Sequence, residues 1–204
     1  MVAKQKNGRG RPRTFDVERA IAQAMDLFWR RGYDGVGVAE LSKTIGITAP
    51  SLYSAFGSKR ELFERVLERY VQTQGVWLPE ALGAGETLGG AISELFLRAA
   101  QVYSADPERP GCLVIDGTRN CGDVGACELA AAMSRATWGL VRDRIVAAEP
   151  GLAAAEVERL ADYVVMVLVG LSGRARDGTG AEVLRECGAI AALGFEQRLR
   201  EYIG

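Results

Sequence analysis

Apolar residues recur at helical spacing along most of the chain, but not at its start. Residues 1–13 are rich in Gly, Lys and Arg and have no apolar periodicity, which is typical of a disordered basic arm. From Asp16 onward the pattern predicts an amphipathic helix that ends at Arg30-Arg31-Gly32. A shorter helix is predicted from Val38 to Ile45, and Gly46 ends it.

The stretch from Gly46 to Lys59, GITAPSLYSAFGSK, holds helix-breaking residues between two predicted helices. Pro50 is tolerated in a first turn and Thr48 is a suitable N-cap, so a helix from Ala49 to Phe56 is allowed. Leu52 and Phe56, four residues apart, provide one side that can be buried. A fourth helix is predicted to begin after Ser58, which forms a capping box with Glu61.

The remaining residues also predict helices, at about 88–105, 124–148, 154–172 and 181–202. Residues 79–90 contain four glycines and are the expected flexible join, and residues 112–122, CLVIDGTRNCG, have no clear pattern. The apolar run Tyr163 to Leu171 could be a buried strand by composition, but it continues a helical pattern without a turn signal. We therefore predict an all-α fold of about nine helices, with a small N-terminal domain of three helices and a larger helical domain.

A short helix, a glycine-centred turn and a second short helix form a helix-turn-helix, whose second helix enters the DNA major groove. Small hydroxyl side chains there would let the backbone approach the bases, and Tyr53 and Lys59 suit phosphate oxygens. Tyr53 could instead be a core aromatic. The predicted DNA-contacting residues are Arg11, Arg13, Val38, Thr48, Ala49, Pro50, Ser51, Tyr53, Ser54 and Lys59.

The charge distribution is consistent with one part that meets a polyanion. Residues 1–60 contain eleven Lys or Arg against five acidic residues, whereas the rest contains fourteen against twenty-one. Chance clustering is the alternative explanation. The second helix of the predicted helix-turn-helix, from Ala49 to Phe56, has no Arg, Asn or Gln. Much of the sequence specificity is therefore expected to come from thymine methyl contacts and DNA shape.

The run FWRRGYDGVGVAELSKTIGITAPSLYSAFGSKRELF resembles the DNA-binding domain of the TetR family of bacterial transcriptional regulators, and the resemblance covers residues 14 to about 67. The shared features, in register, are the aromatic-x-x-x-Gly-Tyr ending of the first helix from Phe28 to Tyr33, Glu40-Leu41, Leu52-Tyr53-x-x-Phe56 and Lys59. The chain departs from the family at Val36-Gly37-Val38, where Thr or Ser is usual and where a hydroxyl contact to phosphate is lost.

The resemblance implies a homodimer that binds a palindromic operator, usually as a repressor, and is released when a small molecule binds the larger domain. The implied organisation is a flexible basic arm over residues 1–13, a DNA-binding domain over 14–57, and a ligand-binding and dimerisation domain over 58–204. The effector, the operator and the regulated genes are not specified by the sequence.

The last two predicted helices carry apolar or small residues on more than one side, so both sides should be buried. A four-helix dimer interface would satisfy this pattern, and the alternative is the core of a monomer. The predicted interface residues are Val165, Leu168, Val169, Gly188, Ala191, Ala192 and Phe195.

An effector pocket in the larger domain is predicted to use large apolar residues with a few polar anchors. The candidates are Trp77, Phe96, Tyr103, Asp116, Arg119, Asn120, Trp138, Tyr163 and Met166, although an apolar residue of this kind, taken alone, is more often core than ligand contact. For residues 111–123, GCLVIDGTRNCGD, two interpretations stay open: a hinge or pocket lid, or a linker.

Other function classes have little support. The chain has no histidine, no GxSxG motif, no P-loop and no CxxC pair, so neither an enzyme, a cofactor nor a metal site is expected. The longest apolar run has nine residues and no signal peptide is evident, which favours a cytoplasmic protein without membrane spans. A thiol-based redox sensor on the same scaffold is the alternative function, with Cys112, Cys121 or Cys127 as reactive thiol and Arg119 lowering the pKa of Cys121. Against this, free cysteines are often simply small buried apolar residues.

Overall fold

The computed structural model describes residues 15–203, and every regular element in that range is helical. The all-α prediction is confirmed, with ten helices in the described range instead of about nine. They are α1 Val17–Arg31, α2 Val38–Ile45, α3 Ala49–Phe56, α4 Lys59–Gln74, α5 Trp77–Gly83, α6 Leu88–Ser104, α7 Leu113–Asp116, α8 Val124–Ala148, α9 Ala154–Arg176 and α10 Ala181–Ile203.

The two helices that the pattern did not predict lie in segments rich in glycine. Helix α5 occupies much of the expected flexible join, so that prediction is wrong for residues 79–83. Pro79 lies in the first turn of α5, where a helix loses nothing from the missing N–H. Helix α7 forms one turn inside residues 112–122. The apolar run from Tyr163 to Leu171 is helical, within α9, as predicted.

The head, residues 15–57, is a small helical unit built on α1. Side chains of Phe28, Leu41, Leu52 and Phe56 are fully or almost fully buried, and Phe28 packs edge-on against Phe63 of α4 at a centroid distance of 5.0 Å. Side chains cap the helix starts: the Asp16 carboxylate accepts the Arg19 N–H at 3.0 Å, and Ser58 Oγ accepts the Glu61 N–H at 3.1 Å. The predicted Ser58 cap of α4 is therefore present, but the capping box is incomplete because the Ser58 N–H donates to the Phe56 carbonyl at 3.0 Å.

The body, residues 58–203, is organised around α6. Helix α10 packs along α6, which also contacts α5 and α9. The two helices approach closely at Gly188, where an added Cβ would lie 3.3 Å from the Cβ of Phe96. Phe96 and Phe195 are fully buried in this core. No helix within residues 15–203 is long and apolar enough to cross a membrane.

Head and body meet at a junction made by the end of α1 and the segment around α7. Trp29 Nε1 donates to the Gly111 carbonyl at 3.2 Å, and the Tyr33 N–H donates to the Gly117 carbonyl at 2.7 Å. Arg176 of α9 donates to the Trp29 carbonyl at 3.1 Å. The residues on either side of the one-turn helix α7 are therefore hydrogen-bonded to Trp29 of α1 and to Tyr33 just beyond it.

Candidate DNA-binding face and effector cavity

Helix α3 is fixed at its start by a cap and along its length by two buried side chains. Gly46 has a left-handed backbone, with φ of 80°, which turns the chain sharply after α2. Thr48 Oγ1 accepts the Ser51 N–H at 3.3 Å and lies 2.9 Å from Ser51 Oγ. Leu52 and Phe56 are buried, so the register of α3 against the head is set by these two residues.

The opposite side of α3 presents small and hydroxyl-bearing residues to solvent. Thr48, Pro50, Ser51 and Ser54 are exposed, Ala49 is half-buried, and Tyr53 is 49% exposed. The sequence predicted this set as DNA contacts, and the structure brings them together on one face. We call Thr48, Pro50, Ser51, Tyr53 and Ser54 the α3 face.

Two other predicted DNA contacts lie elsewhere. The Lys59 ammonium sits 4.0 Å from the centroid of the Tyr33 ring, at the junction, and burial lowers the pKa of this lysine. Val38 is half-buried against the head core. In this structure the Lys59 ammonium therefore packs on the Tyr33 ring of the head, and a DNA contact for this lysine stays a prediction. Arg11, Arg13 and the basic arm lie outside the described residues.

A residue that sequence reasoning missed lies beside α3. The ring of Phe15 packs edge-on against Phe56 at a centroid distance of 5.9 Å. With Ile47, Pro50 and Ser51 it lines a shallow groove along α3. The described chain thus begins next to the α3 face.

The body contains a cavity of about 240 Å³ between α4, α5, α6, α7, α8 and α9. Its lining is predominantly apolar, and none of these residues is charged: Tyr70, Val71, Gly75, Val76, Trp77, Leu78, Pro79, Tyr103, Cys112, Val114, Ile115, Ser134, Thr137, Leu140, Val165, Leu168 and Val169. Of the predicted effector contacts, Trp77 and Tyr103 are in this set. Two of the lining residues, Val114 and Ile115, belong to α7, so the segment left open as lid or linker forms part of the wall.

The polar groups of the cavity are neutral. Burial raises the pKa values of the Tyr70 and Tyr103 hydroxyls and of the Cys112 thiol, so all three keep their protons at neutral pH. Ser134 and Thr137 add hydroxyls from α8. A molecule in the cavity therefore meets hydrogen-bonding groups but no charge.

Seven predicted effector contacts lie outside the cavity lining, and the contacts of most of them show why. Asp116 is buried and structural: its carboxylate accepts from Ser172 Oγ at 2.6 Å and from the Arg119 guanidinium at 2.8 Å. The side chains of Trp138 and Tyr163 tie helices together, through Asp162 at 2.8 Å and the Ala191 carbonyl at 2.9 Å. The predicted effector contacts that lie outside the cavity lining are Phe96, Asp116, Arg119, Asn120, Trp138, Tyr163 and Met166. Phe96 lies in the core, whereas Asn120 is exposed and Met166 is 64% exposed.

Comparison with known proteins agrees with this arrangement. Residues 20–66 match the family model described as bacterial regulatory proteins, tetR family. The HTH-type transcriptional repressor BdcR of Escherichia coli is 36% identical over 201 residues, covering 98% of this chain and 100% of that protein. The chain belongs to the TetR family.

Further relatives extend the agreement to the whole TetR fold. The HTH-type transcriptional repressor ComR of Escherichia coli is 29% identical over 187 residues, covering 89% of each chain. Among solved structures, a cysteine mutant of the TetR-family regulator CifR, complexed with 26-bp operator DNA, superposes with a TM-score of 0.81. It is 32% identical and covers 89% of this chain and 98% of its own.

The predicted TetR dimer interface is placed mostly inside the subunit. Leu168, Gly188, Ala192 and Phe195 are buried in the core of one chain, and Val165, Leu168 and Val169 line the cavity. Ala191 is half-buried. For the four buried residues the monomer-core alternative is the correct one. The large apolar residues of α9 and α10 that reach the surface are Met166, Val169, Val183, Ile190, Leu193 and Ile203, so Val169 of the predicted interface is exposed.

The cysteines of this TetR protein differ in surroundings. Cys112 is buried at the cavity, Cys121 and Cys127 are half-buried near the junction, and Cys187 is exposed on α10. Arg119 does not activate Cys121, because its guanidinium pairs with Asp116, whereas the Cys121 thiol lies 3.6 Å from the Asp34 carboxylate. Burial, with Cys127 and Asp34 nearby, raises the pKa of Cys121 to about 11. The predicted lowering of this pKa is therefore wrong in sign.

Proposed function

We propose that this protein is a transcriptional repressor that binds a palindromic operator as a homodimer and releases it when a neutral, largely apolar molecule enters the body cavity. Residues 14–57 are the DNA-binding domain in this proposal, residues 58–204 bind the effector and the second subunit, and residues 1–13 are a basic arm. The observation that carries it is the exposed α3 face on a helix held in place by Leu52 and Phe56.

The shape of the α3 face suits close approach to DNA. Its side chains are short apart from Tyr53, so the backbone at the start of α3 can approach base edges and phosphates. The N-terminal N–H groups of a helix favour phosphate oxygens. Phe15 directs the chain start to this face, where the arginines of the preceding arm would add phosphate or minor-groove contacts.

The surface of α9 and α10 is the proposed dimer contact. Ile190 and Leu193 are 69% and 65% exposed and lie three residues apart on α10, with Met166 exposed on α9. A cluster of large apolar side chains on a surface marks an interaction site. Changing Ile190→Asp with Leu193→Asp should convert the dimer to a monomer in analytical ultracentrifugation, and an unchanged mass would contradict this assignment.

The effector is expected to be uncharged because the cavity offers only neutral polar groups in an apolar wall. A charged molecule would lose its hydration there without finding an opposite charge. Since Val114 and Ile115 line the cavity, an effector that displaces α7 pulls on the hydrogen bonds from Trp29 to Gly111 and from Tyr33 to Gly117. The spacing of the two heads in a dimer would then change.

The test begins with selection of duplexes from a randomised pool by the purified full-length protein. We expect the selected duplexes to share a palindromic consensus with half-sites about one helical turn apart. We also expect members of a panel of neutral apolar compounds to release the protein from that duplex. Failure to enrich any duplex would refute DNA binding. Release by anionic compounds alone would refute the proposed effector class while leaving DNA binding intact.

A further inference from the structure

Two half-buried thiols lie together beside the junction between head and body. Cys121 is in the turn before α8, and Cys127 is in the first turn of α8. The Cys127 thiol donates to the Cys121 carbonyl at 3.5 Å, so its sulfur lies against the backbone of Cys121. Two cysteines this close, six residues apart in the chain, can be joined with a local movement of the turn.

The same turn is held by the head. The Asp34 carboxylate accepts the Gly122 N–H at 2.7 Å and lies 3.6 Å from Cys121 Sγ. The Tyr33 hydroxyl donates to the Asp123 carboxylate at 2.9 Å. A change in the position of Cys121 is therefore transmitted directly to the residues that end α1.

We propose that Cys121 and Cys127 form a reversible disulfide under peroxide-class oxidants, and that this disulfide weakens operator binding. The regulatory part rests on the function proposed above, whereas the disulfide itself does not. It is a second input, at the junction, separate from an effector in the cavity.

The chemistry is a two-electron oxidation of the thiol pair. The Cys127 thiolate attacks a peroxide oxygen, the O–O bond breaks, and a sulfenic acid and one water (or alcohol) are produced. Cys121 then attacks the sulfenic sulfur, the S–S bond forms, and the hydroxyl leaves as a second water that carries the remaining proton. Cys127 is assigned as the first nucleophile because the Asp34 carboxylate, 3.6 Å from Cys121 Sγ, disfavours a negative charge on Cys121.

The disulfide changes the junction in two ways. Oxidised Cys121 has no S–H, so it can no longer donate to Asp34. An S–S bond of about 2.05 Å is also much shorter than a thiol hydrogen bond, so the turn must move towards α8. Asp123, the N-cap of α8 and the partner of Tyr33, lies within the closed loop and moves with it.

The disulfide can be read directly by mass spectrometry. Cys121 and Cys127 fall on one tryptic peptide, residues 120–135, because Arg119 and Arg135 are successive cleavage sites. Full-length Cys187→Ser protein, which lacks the exposed thiol on α10, is treated with hydrogen peroxide and then with iodoacetamide. We expect this peptide to lose two hydrogens and to resist alkylation, and dithiothreitol to reverse both effects.

Operator binding is measured on the same samples by fluorescence anisotropy with the selected duplex. Oxidation should lower affinity at least about tenfold, within the usual range of coupling between two sites. By reciprocity, saturating duplex should lower the equilibrium constant for disulfide formation, measured in a dithiothreitol redox buffer, by a similar factor. The further change Cys127→Ser should abolish the disulfide and the loss of affinity, both of which the parent Cys187→Ser protein should show.

Different outcomes overturn different statements. Absence of the oxidised peptide, a disulfide without loss of affinity, or a loss that persists in Cys127→Ser would each overturn the switch. Cys121→Ser keeps a hydroxyl donor for Asp34 and serves as a second variant if Cys127→Ser folds poorly. Failure of the reduced protein to bind any duplex would refute the proposed function, while the peptide measurement would still decide whether the disulfide forms.

Discussion

Replacing Tyr53 by Phe removes one hydroxyl from the α3 face and leaves the ring in place. The side chain is 49% exposed, so its hydroxyl can reach a phosphate when DNA lies against α3. A hydrogen bond to a charged group contributes about 1.5–3 kcal/mol. A homodimer loses two such contacts, so the lower value corresponds to about 3 kcal/mol and a roughly 100-fold weaker operator complex.

The assay for Tyr53→Phe is fluorescence anisotropy with the selected duplex over a series of salt concentrations. The dependence of affinity on salt should be unchanged, because the substitution removes no positive charge. The free energy of unfolding should change by less than about 0.5 kcal/mol, as for other surface substitutions. Tyr202→Ala, at the far end of α10, is the control and should bind like the unmodified protein.

Two results would refute this reasoning. Operator affinity equal to that of the unmodified protein would mean that the hydroxyl makes no phosphate contact. A large loss of stability in Tyr53→Ala would mean that the ring is a structural element of the head, which is the alternative that the sequence left open.

Three further predictions concern the body. Asp116→Asn should lower the free energy of unfolding by about 2 kcal/mol in urea titration, because the Ser172 hydroxyl loses a charged acceptor; no change would contradict this role. Leu140→Glu places a charge at the cavity wall and should weaken binding of the neutral probe N-phenyl-1-naphthylamine at least about tenfold. The control Leu97→Glu, at an exposed position on α6, should not weaken it, and equal effects of the two changes would mean that the probe binds elsewhere. Since the pKa of Cys121 is raised to about 11, its thiolate fraction grows as pH rises towards that value. The rate of its alkylation by iodoacetamide, followed by peptide mass spectrometry, should therefore increase about tenfold per pH unit between about pH 8 and about pH 10. A rate that does not depend on pH would contradict the raised pKa.

The head was predictable because its signals are local. Thr48 and Ser58 cap the helices that follow them, and the four-residue spacing of Leu52 and Phe56 already indicates which side of α3 is buried. Lys59 is the exception. Its sequence position suits a phosphate contact, but its ammonium packs on the Tyr33 ring, near the carboxylates of Asp34 and Asp123 at the junction.

The faces of α9 and α10 could not be predicted in the same way. Apolar residues occupy every side of α9 between Tyr163 and Leu171, so periodicity cannot distinguish the buried Leu168 from the exposed Met166. The packing of α6, α8 and α10 around α9 makes that choice. For the same reason, four of the residues expected at a dimer interface, Leu168, Gly188, Ala192 and Phe195, are buried inside the subunit.

The sequence by itself therefore determined the helices with strong periodicity, their caps and the α3 face, because each depends on residues within four positions of one another. The tertiary structure decided the cavity, the role of α7 and the thiol pair beside Asp34. These depend on contacts between residues far apart in the chain, such as Tyr33 with Gly117 and Gly122 with Asp34, which no local pattern encodes.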